Sequence, residues 1–564
     1  SKLVWSFPGP TYEIYKSSAP RKRDGTRVHL DLYNRLPKDE PTATGCSDYT
    51  AANNGRDIYP NCFHNNNNTN IHYHGFHVSP QPPQDDVLIA VEPGHDFDFR
   101  IDPIPWTQAE GTHWYHPHNH GSTALQVING MAGTFLIRGP FDRWLHQAYE
   151  KQLTEKVMVI QQVQPSLTLL DSAVSGNPNP LVNGQGDPVV TLRPGEVQWW
   201  RMVAATMNAN SHLAIIFPKE LIVKQIAMDG VRFAPENYVS QPLLEGEHLN
   251  QDYTITLSPG NRADFLVQSP IPKTLEPLAQ QDYKVTHRIV GQIAPAVQEL
   301  VRKRRAKATT EQEAEQQVYQ LFTVRVEGAA QSMKNPADLT LPPMPKFLRD
   351  IPEPKDKRDV VYQMEGSRNR EMPPKFFINN VQYVRNCASQ TFTVTLGSSV
   401  QWTLKNESDQ GTTNLIQHPF HIHINPFQVV EYDGDTKSPP YVWQDTIGLA
   451  NNSTGNVVLY QKFINFTGGF VQHCHILGHE DRGMMTNVQT VCKNGKFGKP
   501  GDGVKPECRP GNYEPAFPLC PSAAILANLQ KEGGAEWLSL CIPPTYRGSA
   551  EDYLTRFAPK MKTQ

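Results

Sequence analysis

A chain of 564 residues with a formal net charge of −3 and 19% charged residues has no basic surplus to hold nucleic acid or an anionic membrane. No apolar run approaches the ~18 residues that cross a bilayer as a helix, and the length leaves room for roughly three or four domains. Forty-eight prolines and 38 glycines suit many short strands joined by loops.

The chain opens at Ser1 without Met or a signal-like segment, as a processed mature chain would. Val28-His29-Leu30-Asp31-Leu32-Tyr33 reads as a strand, and an Asn- and Gly-rich stretch from about Pro37 to Asn70 follows. Cys46 and Cys62 lie in that stretch; paired with each other, they would close a loop worth about 3 kcal/mol. Two histidine pairs come next, in His72-Tyr73-His74-Gly75 and Trp114-Tyr115-His116-Pro117-His118. The segment Met131 to Pro140 then reads as a strand followed by a break.

From about 150 to 335 there is no His-x-His element. Strand and turn patterns appear at Leu181 to Gln185, Leu192 to Arg201 and Leu257 to Asp264. A Lys-, Arg-, Glu- and Gln-rich run between Val297 and Val318 has helical character and reads as a solvated helix in an insertion. Leu339 to Pro374 is proline-rich and charged, as a linker would be, and Phe376-Phe377-Ile378-Asn379 opens a third β-region. That region carries His418-Pro419-Phe420-His421-Ile422-His423 and, after a β-like stretch from Val457 to Phe466, the run Phe470 to Met485. Past Cys492 the pattern turns to Gly, Pro and Lys, with one short helix candidate at Ser522 to Gln530.

The run Phe470 to Met485 contains a thiol, three imidazoles and a thioether: His473, Cys474, His475, His479 and Met484. Successive side chains of a strand point to opposite faces, so Cys474 faces one way while His473 and His475 face the other. One short segment thus reaches two metal sites at once. One Cys, two His and a weak axial Met form the ligand set of a blue-copper electron-transfer site. His479 is one available imidazole, and the second comes from the run His418-Pro419-Phe420-His421-Ile422-His423. A network of hydrogen-bonded loop histidines or an adventitious metal patch is the competing reading of such clusters.

Four His-x-His elements with these internal spacings resemble the copper-binding signature of the multicopper oxidases, the laccase-like family, over about Val28 to Val491. The resemblance implies an all-β fold of three cupredoxin-like Greek-key β-sandwich domains with loop-rich insertions and a C-terminal extension. The corresponding boundaries are 1–145, 146–338 (without copper), 339–492 and 493–564. It implies four copper ions: His418, Cys474 and His479 with axial Met484 for the type 1 copper, His72 and His421 for the type 2 copper, and His74, His116, His118, His423, His473 and His475 for the type 3 pair. The cluster would be trapped between the first and third domains, since neither alone holds all its ligands. Reducing O2 consumes protons. Asp85 stands at about the place of a carboxylate that the family sets behind the cluster, with Asp86 competing for that place. Glu480 resembles the proton-donating acid of bacterial members. His64, His77, His113 and His120 flank the motifs off the matching positions, and His120 reads as support for a ligand.

The resemblance further implies an oxidoreductase that takes electrons one at a time from a phenolic or similar small-molecule donor and delivers four to O2. Oxidation of cuprous or ferrous ions, oxidation of bilirubin, and a copper-free structural relative are the alternatives. Of eight cysteines, seven remain beside Cys474, enough for three disulfides, which favours a secreted or periplasmic protein. Sequons at Asn67, Asn406, Asn451, Asn452 and Asn465 permit glycosylation.

Overall fold

The computed structural model describes residues 7–19, 22–38, 61–163, 180–207, 212–241, 253–271, 278–290, 318–365, 375–383, 391–408, 416–449 and 456–492. The basic run ending at Val318, apart from that residue, the helix candidate Ser522 to Gln530, the extension 493–564 and the cysteines Cys46, Cys387, Cys508, Cys520 and Cys541 lie outside the described residues. So do Asn451 and Asn452. Among the described residues the chain is mostly strand, and no helix is long and apolar enough to cross a membrane.

Three pairs of sheets follow one another along the chain. In the first, a four-stranded sheet runs in the order Thr11–Tyr15, Gly133–Arg138, Gly111–His116, His72–His74. The antiparallel pair Val28–Tyr33 and Asp96–Ile101 lies opposite, and Tyr73, Phe76, Phe99, Phe135 and Ile137 fill the space between. In the second, the six-stranded sheet containing Val197–Ala205 and Arg262–Gln268 faces a five-stranded sheet built on Leu278–Ile289 and Tyr319–Gly328. Trp199, Trp200, Phe217 and Phe265 sit in their common core. In the third, a seven-stranded sheet centred on Ser399–Asn406 and Val457–Lys462 faces a five-stranded one ordered Thr391–Thr395, Met485–Val491, Gly468–Cys474, His418–Ile422, Thr446–Leu449. The Val197–Ala205 and Arg262–Gln268 strands are buried at every position, which explains why they do not alternate apolar with polar as a half-exposed strand would, and their charged residues Arg201, Arg262 and Asp264 are held in buried ion pairs.

Three local expectations change. The stretch read as a linker contains the strand Asp356–Glu365, which pairs in parallel with Ser399–Asn406. Lys357 and Asp359 face outwards and Asp356 and Arg358 are partly exposed at its start, while Val360 and Tyr362 enter the third core, so charge count masked a half-buried strand. The break after Arg138 is a helix, Pro140–Ala148, with Pro140 at its first turn, where a missing N–H costs nothing. Phe141 and Leu145 of this helix pack into the middle core, so a boundary at 145 falls within an element bridging two sandwiches. The sequon residue Asn406 is buried, and its amide donates to the carbonyls of Ile416 and Leu449, which removes it from glycosylation chemistry.

Candidate metal centre

Strand Gly468–Cys474 lies between Met485–Val491 and His418–Ile422, which sets Cys474 opposite Phe420 and His473 opposite His421. The period-two alternation then does what the sequence implied. Cys474 enters the third core, where its Sγ is 3.4 Å from His418 Nδ1 and 3.8 Å from His479 Nδ1, and those two nitrogens are 3.3 Å apart. Cys474 is the free cysteine among the described residues. His479 reaches back from the short helix Leu477–Glu480, its ring stacked on Phe376 at 4.2 Å, while His418 Nε2 meets Ser408 Oγ at 2.8 Å. Met484 is fully buried in the same core as Cys474, and the two residues are tied by a Cys474 N–H bond to the Met484 carbonyl at 3.0 Å. Met485 faces the other way, into a cluster with Val87 and Tyr383.

On the opposite face of that strand eight imidazoles converge. His72 and His74 pair in register with His116 and Trp114 in the first sandwich, and His421 and His423 come from the strand beside His473. His118 Nε2 lies 3.1 Å from His473 Nε2, and His423 Nε2 lies 3.3 Å from the same nitrogen. The sets His72–His74–His116, His72–His421–His423 and His118–His423–His473 each bring three donor atoms within 4.8 Å of one another. His475 completes the group, with its ring centre 5.0 Å from that of His74 and 5.5 Å from that of His116.

The outer nitrogens show what the inner ones can do. His72 Nδ1 is 3.0 Å from both oxygens of Asp85, which also takes the Tyr73 N–H at 2.9 Å. Carboxylates and carbonyls only accept, so the ring nitrogen facing one carries the proton. His116 Nδ1 donates to the Pro117 carbonyl at 2.8 Å, and His421 Nδ1 donates to the Asp445 carbonyl at 2.8 Å. Glu480 lies behind two rings at once, 3.3 Å from His118 Nδ1 and 3.1 Å from His473 Nδ1. In each case Nε2 is left as a lone pair pointing inwards. His74 is the reverse: its Nε2 faces Asp445 Oδ1 at 3.2 Å, so Nδ1 is the inward donor.

Copper fits these residues. The inward nitrogens of His72, His74, His116 and His421, and both nitrogens of His475, are buried without a hydrogen-bond partner. Burial, with neighbouring imidazoles adding to it, holds His72, His74, His118, His423 and His475 well below the usual histidine range, and burial takes His116, His418 and His421 down to about 3. The rings are therefore neutral, as ligands must be. Two Nε2 lone pairs facing each other at 3.1 Å between His118 and His473 repel unless a cation lies between them. The Cys474 thiol is pushed up by burial, with the Glu480 charge adding to it, and a bound cation reverses that balance.

Of the residues named from sequence, Asp85 is the carboxylate that meets a ligand, whereas Asp86 accepts the Leu88 N–H in its own turn. His77 contacts the Ile424 carbonyl and Asn465, His113 contacts the Ala109 carbonyl, and His120 packs against Tyr383 and His64. Four contributors carried no metal-type spacing: Ser408, Asp445, Asp481 and the middle-sandwich turn Pro259 to Arg262. Gly260 in that turn has φ +92° and lies so close to His475 that a Cβ would come within 3.0 Å of the ring. The turn was visible in the sequence; its destination was not.

Two multicopper oxidase family models match the chain, over residues 51–141 and 353–493. Over 436 residues it is 22% identical to a multicopper oxidase of Staphylococcus aureus, covering 75% of this chain and 77% of the relative. A Campylobacter jejuni multicopper oxidase described as a metallo-oxidase aligns with TM-score 0.58 at 22% identity, covering 85% of this chain and 84% of the other. A Pediococcus acidilactici laccase aligns with TM-score 0.57 at 19% identity, covering 86% and 84%. The three sandwiches are cupredoxin-like, and the chain belongs to the multicopper oxidases, copper-dependent oxidoreductases that use O2 as acceptor.

Proposed function

We propose that this chain is a laccase-like oxidase that couples one-electron oxidation of phenolic or similar small donors to four-electron reduction of O2 to water. The carrying observation is the strand that ends in His473 and Cys474. It presents the thiol to His418 and His479 on one face and an imidazole to the histidine cluster on the other, with His473 Nδ1 also 3.1 Å from the Cys474 carbonyl. Four copper ions are assigned to these residues. His418, Cys474, His479 and Met484 would hold the type 1 ion, His72 and His421 the type 2, and His74, His116, His118, His423, His473 and His475 the type 3 pair. Bound copper supplies reversible one-electron storage and a place for O2.

The protein's own part is orientation and protons. Asp85, the Pro117 carbonyl, the Asp445 carbonyl and Glu480 fix which nitrogen of each ring faces inwards. Glu480, fully buried and within reach of two cluster ligands, is the acid placed to deliver protons, with the Thr123 hydroxyl 3.4 Å behind it; Asp85 serves the His72 side. The filled donor set speaks against a copper-free structural relative. Against a dedicated cuprous oxidase, Met344 and Met364 pack against apolar cores and, among the described residues, form no methionine cluster. Seven cysteines beside Cys474 support an oxidising compartment, secreted or periplasmic, with disulfides among them.

Steady-state rates on a phenol, Fe(II) and Cu(I), with O2 uptake recorded, test the reading. A phenol should sustain uptake at four donors per O2. Rapid turnover of the metal ions with none on phenols would replace it with a metallo-oxidase.

A further inference from the structure

The middle sandwich supplies none of the assigned copper ligands, yet one of its side chains ends beside the cluster. Arg262 is fully buried and grips Asp445 with two parallel bonds, Nη1 to Oδ1 at 2.7 Å and Nη2 to Oδ2 at 2.6 Å. Its other N–H groups are all used: Nη1 donates to the Gly260 carbonyl at 3.0 Å, Nη2 to the Asp229 carbonyl at 3.0 Å and Nε to the Thr112 carbonyl at 3.3 Å. Asp229 in turn accepts the backbone N–H groups of Arg262, Asp445 and Thr446. The Asp445 carboxylate is thus immobilised from behind. In front, Oδ1 meets His74 Nε2 at 3.2 Å and accepts the Thr446 hydroxyl at 2.9 Å, and that hydroxyl is 3.1 Å from His421 Nδ1. Gly75, directly after His74, has φ +87°, and any Cβ there would strike the Arg262 guanidinium and Asp445.

We infer that Arg262, acting through Asp445, is a positioning residue for the oxygen-reducing cluster, setting the tautomer and ring orientation of His74 and bracing His421. The inference rests on the reading that the eight imidazoles hold copper. Within the cluster, His74 is the ring whose outer contacts fall on Nε2, from the Asp445 carboxylate at 3.2 Å and the Thr446 hydroxyl at 3.4 Å, so it presents Nδ1, and the carboxylate, which can only accept, makes that choice. Two carboxylates, Asp445 and Asp229, share one planar guanidinium. A lysine carries the charge but cannot fork across Asp445 while meeting three carbonyls. The copper-free domain thereby becomes a working part of a site whose ligands lie in the other two.

Arg201 provides the internal control. It is as buried as Arg262 and lies on the adjacent strand, forking to Asp142, Asp264 and Glu155, and its polar contacts include no imidazole. The experiment uses the full chain loaded with copper. It measures copper per chain, the thiolate-to-copper colour that reports on Cys474, and the electron paramagnetic resonance of the remaining ions. Arg262→Lys and Asp445→Asn should weaken copper binding at the cluster about 10- to 100-fold while the colour persists. Arg201→Lys should lower the melting temperature without changing how copper is distributed. Thr446→Val, which keeps the volume and the ion pair, should lose less cluster copper than Asp445→Asn, and it reads the same array if the charged variants do not fold. Equal copper distributions in Arg262→Lys and Arg201→Lys, joint loss of colour and cluster, or an unaffected Thr446→Val cluster would overturn the inference. A wild-type chain that takes up no copper at the imidazoles would instead sink the functional reading itself.

Discussion

Asp481 is the joint between the first and third sandwiches, and its removal is the most quantitative test of the fold. Oδ1 accepts the N–H groups of Gly121 at 2.7 Å and Thr123 at 3.3 Å, and Oδ2 accepts that of Ala124 at 2.8 Å. These amides open the helix Thr123–Ile128, which is buried at every position and takes no side-chain cap from Ser122. Asp481→Ala therefore strands three buried donors. At about 1–3 kcal/mol for each unsatisfied donor, and with the 3.3 Å bond counting little, the loss is about 3–4 kcal/mol. Asp481→Asn keeps one acceptor oxygen and should lose about half as much. Taking ~2–4 °C per kcal/mol for domains of this size, Asp481→Ala should melt roughly 6–16 °C lower. Calorimetry of the copper-free chain measures this directly, with Asp435→Ala as the comparison, since that carboxylate is 73% exposed. A shift no larger than that of Asp435→Ala, or Asn as damaging as Ala, would refute the argument that these amides depend on Asp481. The same substitution should disturb the cluster before the Cys474 site, because Glu480 next door touches His118 and His473.

Cys474→Ser should abolish the intense thiolate-to-copper absorption and donor oxidation while leaving much of the cluster copper, and a variant that stays blue ends the assignment. Met484→Leu should raise the potential of the Cys474 copper in a redox titration, since a thioether donor favours Cu(II); an unchanged or lower potential counts against axial ligation. Glu480→Gln should slow reoxidation by O2 in stopped-flow while anaerobic reduction by donor stays nearly unchanged, and equal slowing of both would mark a structural role. Burial raises the Glu155 carboxyl, but the guanidinium groups of Arg201 and Arg138 outweigh it and hold it at about 2, against 4.5 when free. Its stabilisation is therefore present above pH about 4.5 and is lost as the pH falls towards 2, ~3 kcal/mol in all. Unfolding measured across that window should show a flatter acid limb for Glu155→Gln, and a parallel limb would contradict the ion-pair account.

Which histidine and cysteine side chains share a face was legible in the linear chain because its logic is local. A strand repeats every two residues, so His-x-His places both imidazoles on one face, and His473-Cys474-His475 divides its ligands between two faces. The structure keeps that division, with Cys474 in the apolar core and His473 among imidazoles. The resemblance to a known family rests on the same local spacings. Asp85, thirteen residues from His72, was close enough in the chain to be named, though its rival Asp86 was separated from it only by burial.

What only the tertiary structure decided is what lies far away in sequence. Asp445 is 371 residues from His74, and Arg262 is 183 from Asp445, so no periodicity joins them. The strand Asp356–Glu365 was hidden because its charged residues crowd its first half, ahead of the buried Val360 and Tyr362, and Asn406 was read as a sequon because a triplet does not reveal burial. Spacing along a strand specifies which side chains share a face. The nitrogen each imidazole presents is set by acceptors that other strands and another domain bring behind it, and folding alone assembles those.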